Sequence, residues 1–138
     1  MKSYCFRLHR GQDLFLCLQS FVREHQIGAA VIVSAVGCVS RARLRDASGI
    51  TVREIPEEME IVSLTGTLGE KRTHLHAAFS KENLSTLGGH LVEGCIINTT
   101  CEVVLLQLDD VIFDAEDDPE TGYDELVIRK VLPTIQQL

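Results

Sequence analysis

Near its start the chain alternates with a period of two. Over residues 3–9, Tyr4, Phe6 and Leu8 share one face and Cys5 and Arg7 the other, which predicts a strand. Gly11 interrupts this pattern, and Asp13 is placed to cap a helix running to about residue 25. Leu14, Leu18, Phe21 and Val22 then fall at i, i+4, i+7 and i+8, an apolar stripe along that helix. Gly28 is positioned to end it. Residues 29–36 form an unbroken apolar run of β-branched residues and alanine, which reads as a buried strand. Residues 39–46 alternate again, with Arg41, Arg43 and Arg45 on one face and Ala42 and Leu44 on the other.

The Ser48-Gly49 pair turns the chain into a short strand over 50–55, and Pro56 with two glutamates makes a loop. Strands are predicted over 59–68, ending at Gly69, and over 73–79, the latter with one polar face. Residues 80–89 read as a loop or helical turn. Residues 99–108 are the strongest strand signal in the chain, and 111–113 either continue that strand or pair with it. An acidic loop follows over 114–123, then a last strand over 124–130 and a frayed tail over 133–138. Seven to nine strands and one helix exclude a doubly wound sheet. They predict an α+β fold with a largely antiparallel sheet and one amphipathic helix, residues 13–25. The 138 residues make one domain, in which 113–138 supply an acidic loop, a last strand and a tail.

Composition narrows the function classes. Apolar residues make up 45% and charged residues 24%, a globular balance rather than a disordered one. The net charge is −7, from 20 acidic and 13 basic residues, which argues against a free-standing nucleic-acid binder. No apolar run is long enough to span a bilayer, and the N-terminus lacks the pattern of a signal peptide, so a cytoplasmic protein without membrane contact is expected. The five cysteines, Cys5, Cys17, Cys38, Cys95 and Cys101, include no CxxC pair. All lie in apolar stretches and read as buried free thiols of a reducing compartment.

Three of the five histidines fall close together in the sequence. His74 and His76 are two apart on a predicted strand, so both project from one face. His90 follows Gly88-Gly89, which permits close backbone approach. Three imidazoles and an open position are a common catalytic metal arrangement. The competing reading is a polar strand face of hydrogen-bonded histidines. His9 and His25 read as surface residues. Glu60 and Glu102 are the candidate general base or ligand-orienting carboxylates, because a carboxylate in an apolar strand needs a partner. Arg41, Arg43 and Arg45 either contact an anion or pair with the surplus acids.

The order of motifs resembles the plant-and-prokaryote-conserved (PPC) domain, the domain of AT-hook nuclear proteins, in its stand-alone prokaryotic form. The matching stretches are Phe6-Arg7-Leu8, Gly11-Gln12-Asp13-Leu14, the run from Glu60 to Leu68, His74-Leu75-His76-Ala77, Gly88-Gly89-His90-Leu91 and Thr99-Thr100-Cys101-Glu102-Val103. The resemblance implies an α+β domain assembled as a homotrimer. It implies a metal, usually zinc, on His74, His76 and His90. Nickel, copper or iron also suit imidazole ligation.

The expected function is therefore a trimeric metal-binding module with a regulatory or interaction role, associated with DNA or with a DNA-bound protein. One alternative is a small zinc-dependent enzyme built on the three histidines. The other is a direct DNA-binding protein. The chain has no Arg-Gly-Arg-Pro hook and no basic arm, so direct duplex binding is expected to be weak and strongly salt-dependent.

Overall fold

The computed structural model describes residues 1–131; the predicted frayed tail over 133–138 lies outside them. Nine strands and one helix follow in the order β1 (Lys2–His9), α1 (Leu14–Glu24), β2 (Ala30–Arg45), β3 (Val52–Ile55), β4 (Met59–Leu68), β5 (Thr73–Ser80), β6 (Thr86–Leu91), β7 (Ile96–Gln107), β8 (Val111–Asp118) and β9 (Tyr123–Lys130). Every strand pairing is antiparallel. The fold is therefore a largely antiparallel sheet with a single helix, as the periodicities predict.

The helix forms where the stripe places it. Asp13 caps it, accepting a hydrogen bond from Leu16 N at 3.0 Å, and its other carboxylate oxygen accepts from Gly94 N at 2.7 Å. Leu14, Leu18 and Val22 are fully buried against the sheet. Phe21 packs between Tyr4 and Phe6 of β1, stacking on Phe6 with ring centroids 4.1 Å apart. The helix stops at Glu24, and the residue that reverses the chain is Gln26, at φ 52°, not Gly28. Gly28 has a different role: its carbonyl accepts from Phe113 N at 2.9 Å, and it seats the start of β8.

Two predicted strands, 29–36 and 39–46, are one 16-residue strand, β2. Register shifts along its β7 edge let it bend without breaking. One edge of β2 pairs first with β4 and then with β3. The other pairs first with β7 and then, at Leu44 and Arg45, with β6. Because β4 pairs β5 and β5 pairs β6, the path β2–β4–β5–β6 returns to β2 as a ring. Leu44, Leu75, Ala77, Phe79 and Leu91 fill its interior face together with residues of α1 and β7. The apolar run of β2 is only half buried: Val33 and Val36 are 59% and 53% exposed.

Residues 86–89 are strand rather than loop. Gly88 and Gly89 hide that strand from propensity, yet the close pairing requires them: a Cβ on Gly88 would lie 2.7 Å from the Ala77 carbonyl oxygen. The predicted acidic loop over 114–123 is likewise mostly strand. Residues 111–113 neither continue β7 nor pair with it; they open β8, which pairs only with β9 in a separate hairpin. Buried Asp114 pins that hairpin, accepting from Arg129 Nε at 2.9 Å and from Lys71 Nζ at 3.3 Å.

The cysteines carry no disulfide. Cys95 and Cys101 are buried, and burial pushes both thiols up to about 11. Cys17 and Cys38 are half-buried, and Cys5 is exposed because it lies on the outward face of β1, opposite Tyr4 and Phe6.

Candidate metal centre

The ring brings the three clustered histidines together. His76 on β5 and His90 on β6 are direct cross-strand partners, and His74 lies two residues along β5 on the same face. Leu75 and Ala77, on the opposite face, are buried in the core, so the histidines are turned outward by the strand period. The same cross-strand row runs on to Thr65 of β4 on one side and Arg45 of β2 on the other. Gly66 allows the β4–β5 approach, with φ +146° and no room for a Cβ, which would lie 2.0 Å from the His74 carbonyl oxygen.

One ring nitrogen from each histidine falls within a group whose members lie within 4.8 Å of one another. His74 Nε2 and His76 Nε2 are 3.2 Å apart. Two nitrogens each about 2.0–2.1 Å from a tetrahedral ion are separated by roughly 3.3 Å, so this spacing fits a shared ion. Burial holds His74 below the ordinary histidine value, with Arg72 and His76 adding to the effect. Burial and Arg45 hold His90 lower still, at about 4. Both rings are therefore neutral at physiological pH, the form that ligates a metal.

The predicted carboxylates are elsewhere. Glu102 is exposed on β7, opposite Arg7 of β1. Glu60 is exposed at the start of β4, paired with Cys38 and Ser80, five residues and roughly 17 Å of strand from Thr65. Neither reaches the histidines. The carboxylate that does approach them is Glu125 of β9, which lines the cleft beside His74 and His76 and accepts from Arg72 Nη2 at 3.5 Å. Sequence reasoning missed it because it belongs to a hairpin whose docking depends on Gly28, Gly69 and Asp114, none of which signals a position near the histidines. His9 and His25 are exposed and separate from the cluster, as expected, with His25 stacked on Phe21.

The three arginines of β2 divide. Arg41 pairs with Glu54 at 3.6 Å and Arg43 with Glu93 at 4.0 Å. Arg45 instead stands beside His90, with its guanidinium 5.9 Å from the Tyr123 ring centroid.

The family model of the Plants and Prokaryotes Conserved (PCC) domain matches residues 1–109. The chain belongs to this family. The resemblance carried by the sequence motifs is thus borne out, and β8 and β9 lie beyond the matched residues. Among curated proteins, a bifunctional GlmU of Synechococcus is 41% identical over 131 residues. The match covers 95% of this chain but 21% of that protein, so the chain spans about a fifth of the length of the curated relatives it matches.

Solved structures agree on the fold. A hypothetical protein from Salmonella is 36% identical, with a TM-score of 0.91 and 95% of each chain covered. A metal-containing protein from Archaeoglobus fulgidus is 30% identical, with a TM-score of 0.77, over 92% of this chain and 94% of that one. A Bacteroides thetaiotaomicron protein, provisionally described as DNA-binding, is 23% identical over 91% of each chain, with a TM-score of 0.82. At that identity it speaks to the fold alone.

Proposed function

We propose that this chain is a metal-binding regulatory or interaction module that holds one divalent ion, zinc in the first instance, on His74, His76 and His90. The observation that carries the reading is the convergence of three outward-facing imidazoles, two of them kept neutral by their surroundings. The likeness to a metal-containing archaeal protein supports it. Imidazole-only ligation also suits nickel, copper and iron, so the site is better defined than the element. A modular role is supported by the Synechococcus relatives, in which a matching domain is one part of a much longer bifunctional protein.

The module is proposed to act as a homotrimer. Val33 and Val36 on β2 and Val62 on β4 expose apolar surface on adjacent strands, which self-association would cover. Association with DNA is proposed to run through a protein partner, because the chain is acidic and Arg41 and Arg43 are already paired. The second reading, a small metalloenzyme, is favoured by the cleft beside His74 and His76, into which Glu125 faces.

Metal analysis of the untagged protein tests the central claim. One equivalent of ion per chain is expected. His74→Ala, His76→Ala and His90→Ala should each lose it, whereas His9→Ala and His25→Ala should retain it. If the first three variants each keep a full equivalent after dialysis against a mild chelator, the histidines are only a polar strand face.

A further inference from the structure

A second cleft, of about 370 Å³, opens beside His74 and His90 on the side away from Thr65 and is walled by Arg45, Arg72, Thr73 and Tyr123. That volume lies within the range of small-molecule sites. Among the described residues, three buried side-chain polar atoms have no hydrogen-bond partner: Arg45 Nε, Thr73 Oγ1 and His90 Nδ1. All three belong to residues that wall this one cleft. Buried polar groups are nearly always paired, so Arg45 Nε and His90 Nδ1, unpaired on directly paired residues, indicate a partner that the protein itself does not supply.

The chemistry of the unpaired atoms specifies that partner. An arginine nitrogen can only donate, so what satisfies Arg45 must accept. Thr73 lies on the other face of β5, with Leu75 and Ala77, so its hydroxyl does not take part. The charges agree. Of the three arginines on the outer face of β2, Arg41 and Arg43 have carboxylate partners, and Arg45 has none among the described residues. Arg72, whose side chain is only 14% exposed, has a single long contact to Glu125. With a divalent ion on neutral imidazoles, the ion, Arg45 and Arg72 together would exceed what Asp124 and Glu125 balance.

We infer that this cleft binds a small oxyanion, a carboxylate or phosphate group, on Arg45 and Arg72 beside the histidine centre. Asp124 and Glu125 also line it and oppose an extended polyanion, so the ligand is a small molecule rather than a nucleic acid. The inference deepens the metal reading by naming the ligand class of the same site. Its anchors are the two arginines, however, so the metal-free chain can also be tested.

Inorganic phosphate and malonate, titrated calorimetrically into zinc-loaded and metal-free protein at low ionic strength, supply the two arms. At least one should bind saturably at one per chain, and the tighter arm names the anion. Arg45→Gln should weaken it by about tenfold or more, and Arg45→Lys by less, because a lysine keeps the charge but not the fork. Both variants should keep the zinc stoichiometry and the far-ultraviolet circular dichroism of the wild type. Arg72→Gln gives an independent second loss. Failure of both anions to bind at millimolar concentration, or wild-type affinity in both glutamine variants, overturns the inference. Retention of zinc by the histidine variants would overturn the metal reading alone, since the arginine comparison is also made on metal-free protein.

Discussion

Gly89 shows how single residues set this centre. A Cβ there would lie 2.8 Å from the Arg45 carbonyl oxygen, a backbone atom that can yield only by parting β6 from β2. Gly89→Ala should cost about 1–3 kcal/mol, as overpacking does, and should weaken metal binding by displacing His90. Gly66→Ala should be worse, since crowding there is combined with a φ of +146°. Thermal melts of the two variants, with metal analysis on whichever folds, check both. Histidine titration adds a pH dependence. Unfolded histidines titrate near about 6.5, whereas folded His90 is held at about 4 and His74 is also lowered. Between those values the unfolded chain binds more protons, so acid favours unfolding. Stability should be full above the unfolded value and decline as pH falls toward about 4, and His90→Gln should flatten that decline in melting curves. The histidine pair was legible because strand period alone places His74 and His76 on one face. His90 was legible because Gly88-Gly89 permits close approach or a sharp turn, either of which can bring a third imidazole in. Glu125 was not, since nothing local to it reports which surface its hairpin meets.

Among the elements, α1 and β4 could be read directly, because an amphipathic stripe and an alternating run each have one sensible partner face. β6 was obscured by the glycines that its neighbours demand. The β8–β9 hairpin was obscured by its charge: Asp114, Glu116, Asp117 and Asp118 look like solvent-exposed loop residues. What makes β8 a strand is its backbone pairing with β9, in which Asp114 and Glu116 are ion-paired to Lys71 and Arg129. The Arg129 hydrogen bond, with help from Ala115 N and Lys71, holds the Asp114 carboxyl at about 2. Its contribution is therefore present above the ordinary carboxylate range and lost as pH falls through about 2. Asp114→Asn should free the hairpin while leaving the main sheet intact. Hydrogen exchange should quicken across residues 111–130 and stay unchanged in β4 and β5. Equal exchange in wild type and variant would mean that the hairpin is held without Asp114, by contacts such as Phe113 N to Gly28 and Arg72 to Glu125.

At the scale of the whole molecule, the exposed valines and the net charge govern association. Light scattering at micromolar concentration should return three chain masses, and Val36→Glu, which puts a carboxylate into the exposed apolar patch, should return one. A monomeric wild type would remove the trimer from the reading. Binding of duplex DNA by the isolated chain should be weak and should fall steeply with added salt, as expected for a protein of charge −7. Sequence-selective nanomolar binding at physiological salt, measured by anisotropy, would reverse that expectation. The length of β2 was the main feature the sequence concealed at this scale. A bent strand that pairs with four others looks, residue by residue, like two strands.

The closed path through β2, β4, β5 and β6 also bears on when an ion could arrive. Each histidine-bearing strand is held by backbone pairing on both sides, so the ring of strands sets the placement of the three imidazoles. In a zinc finger the metal is the reason the chain folds at all. Here the backbone pairing would frame the proposed site without the ion, and loading would be a reversible occupancy that tracks the free concentration of the ion. Its stabilising effect is then the mass-action increment of a ligand binding only the native state. A chelator should lower the melting temperature and leave the far-ultraviolet circular dichroism unchanged. A chain that bound its metal in this way would report metal supply as well as use it.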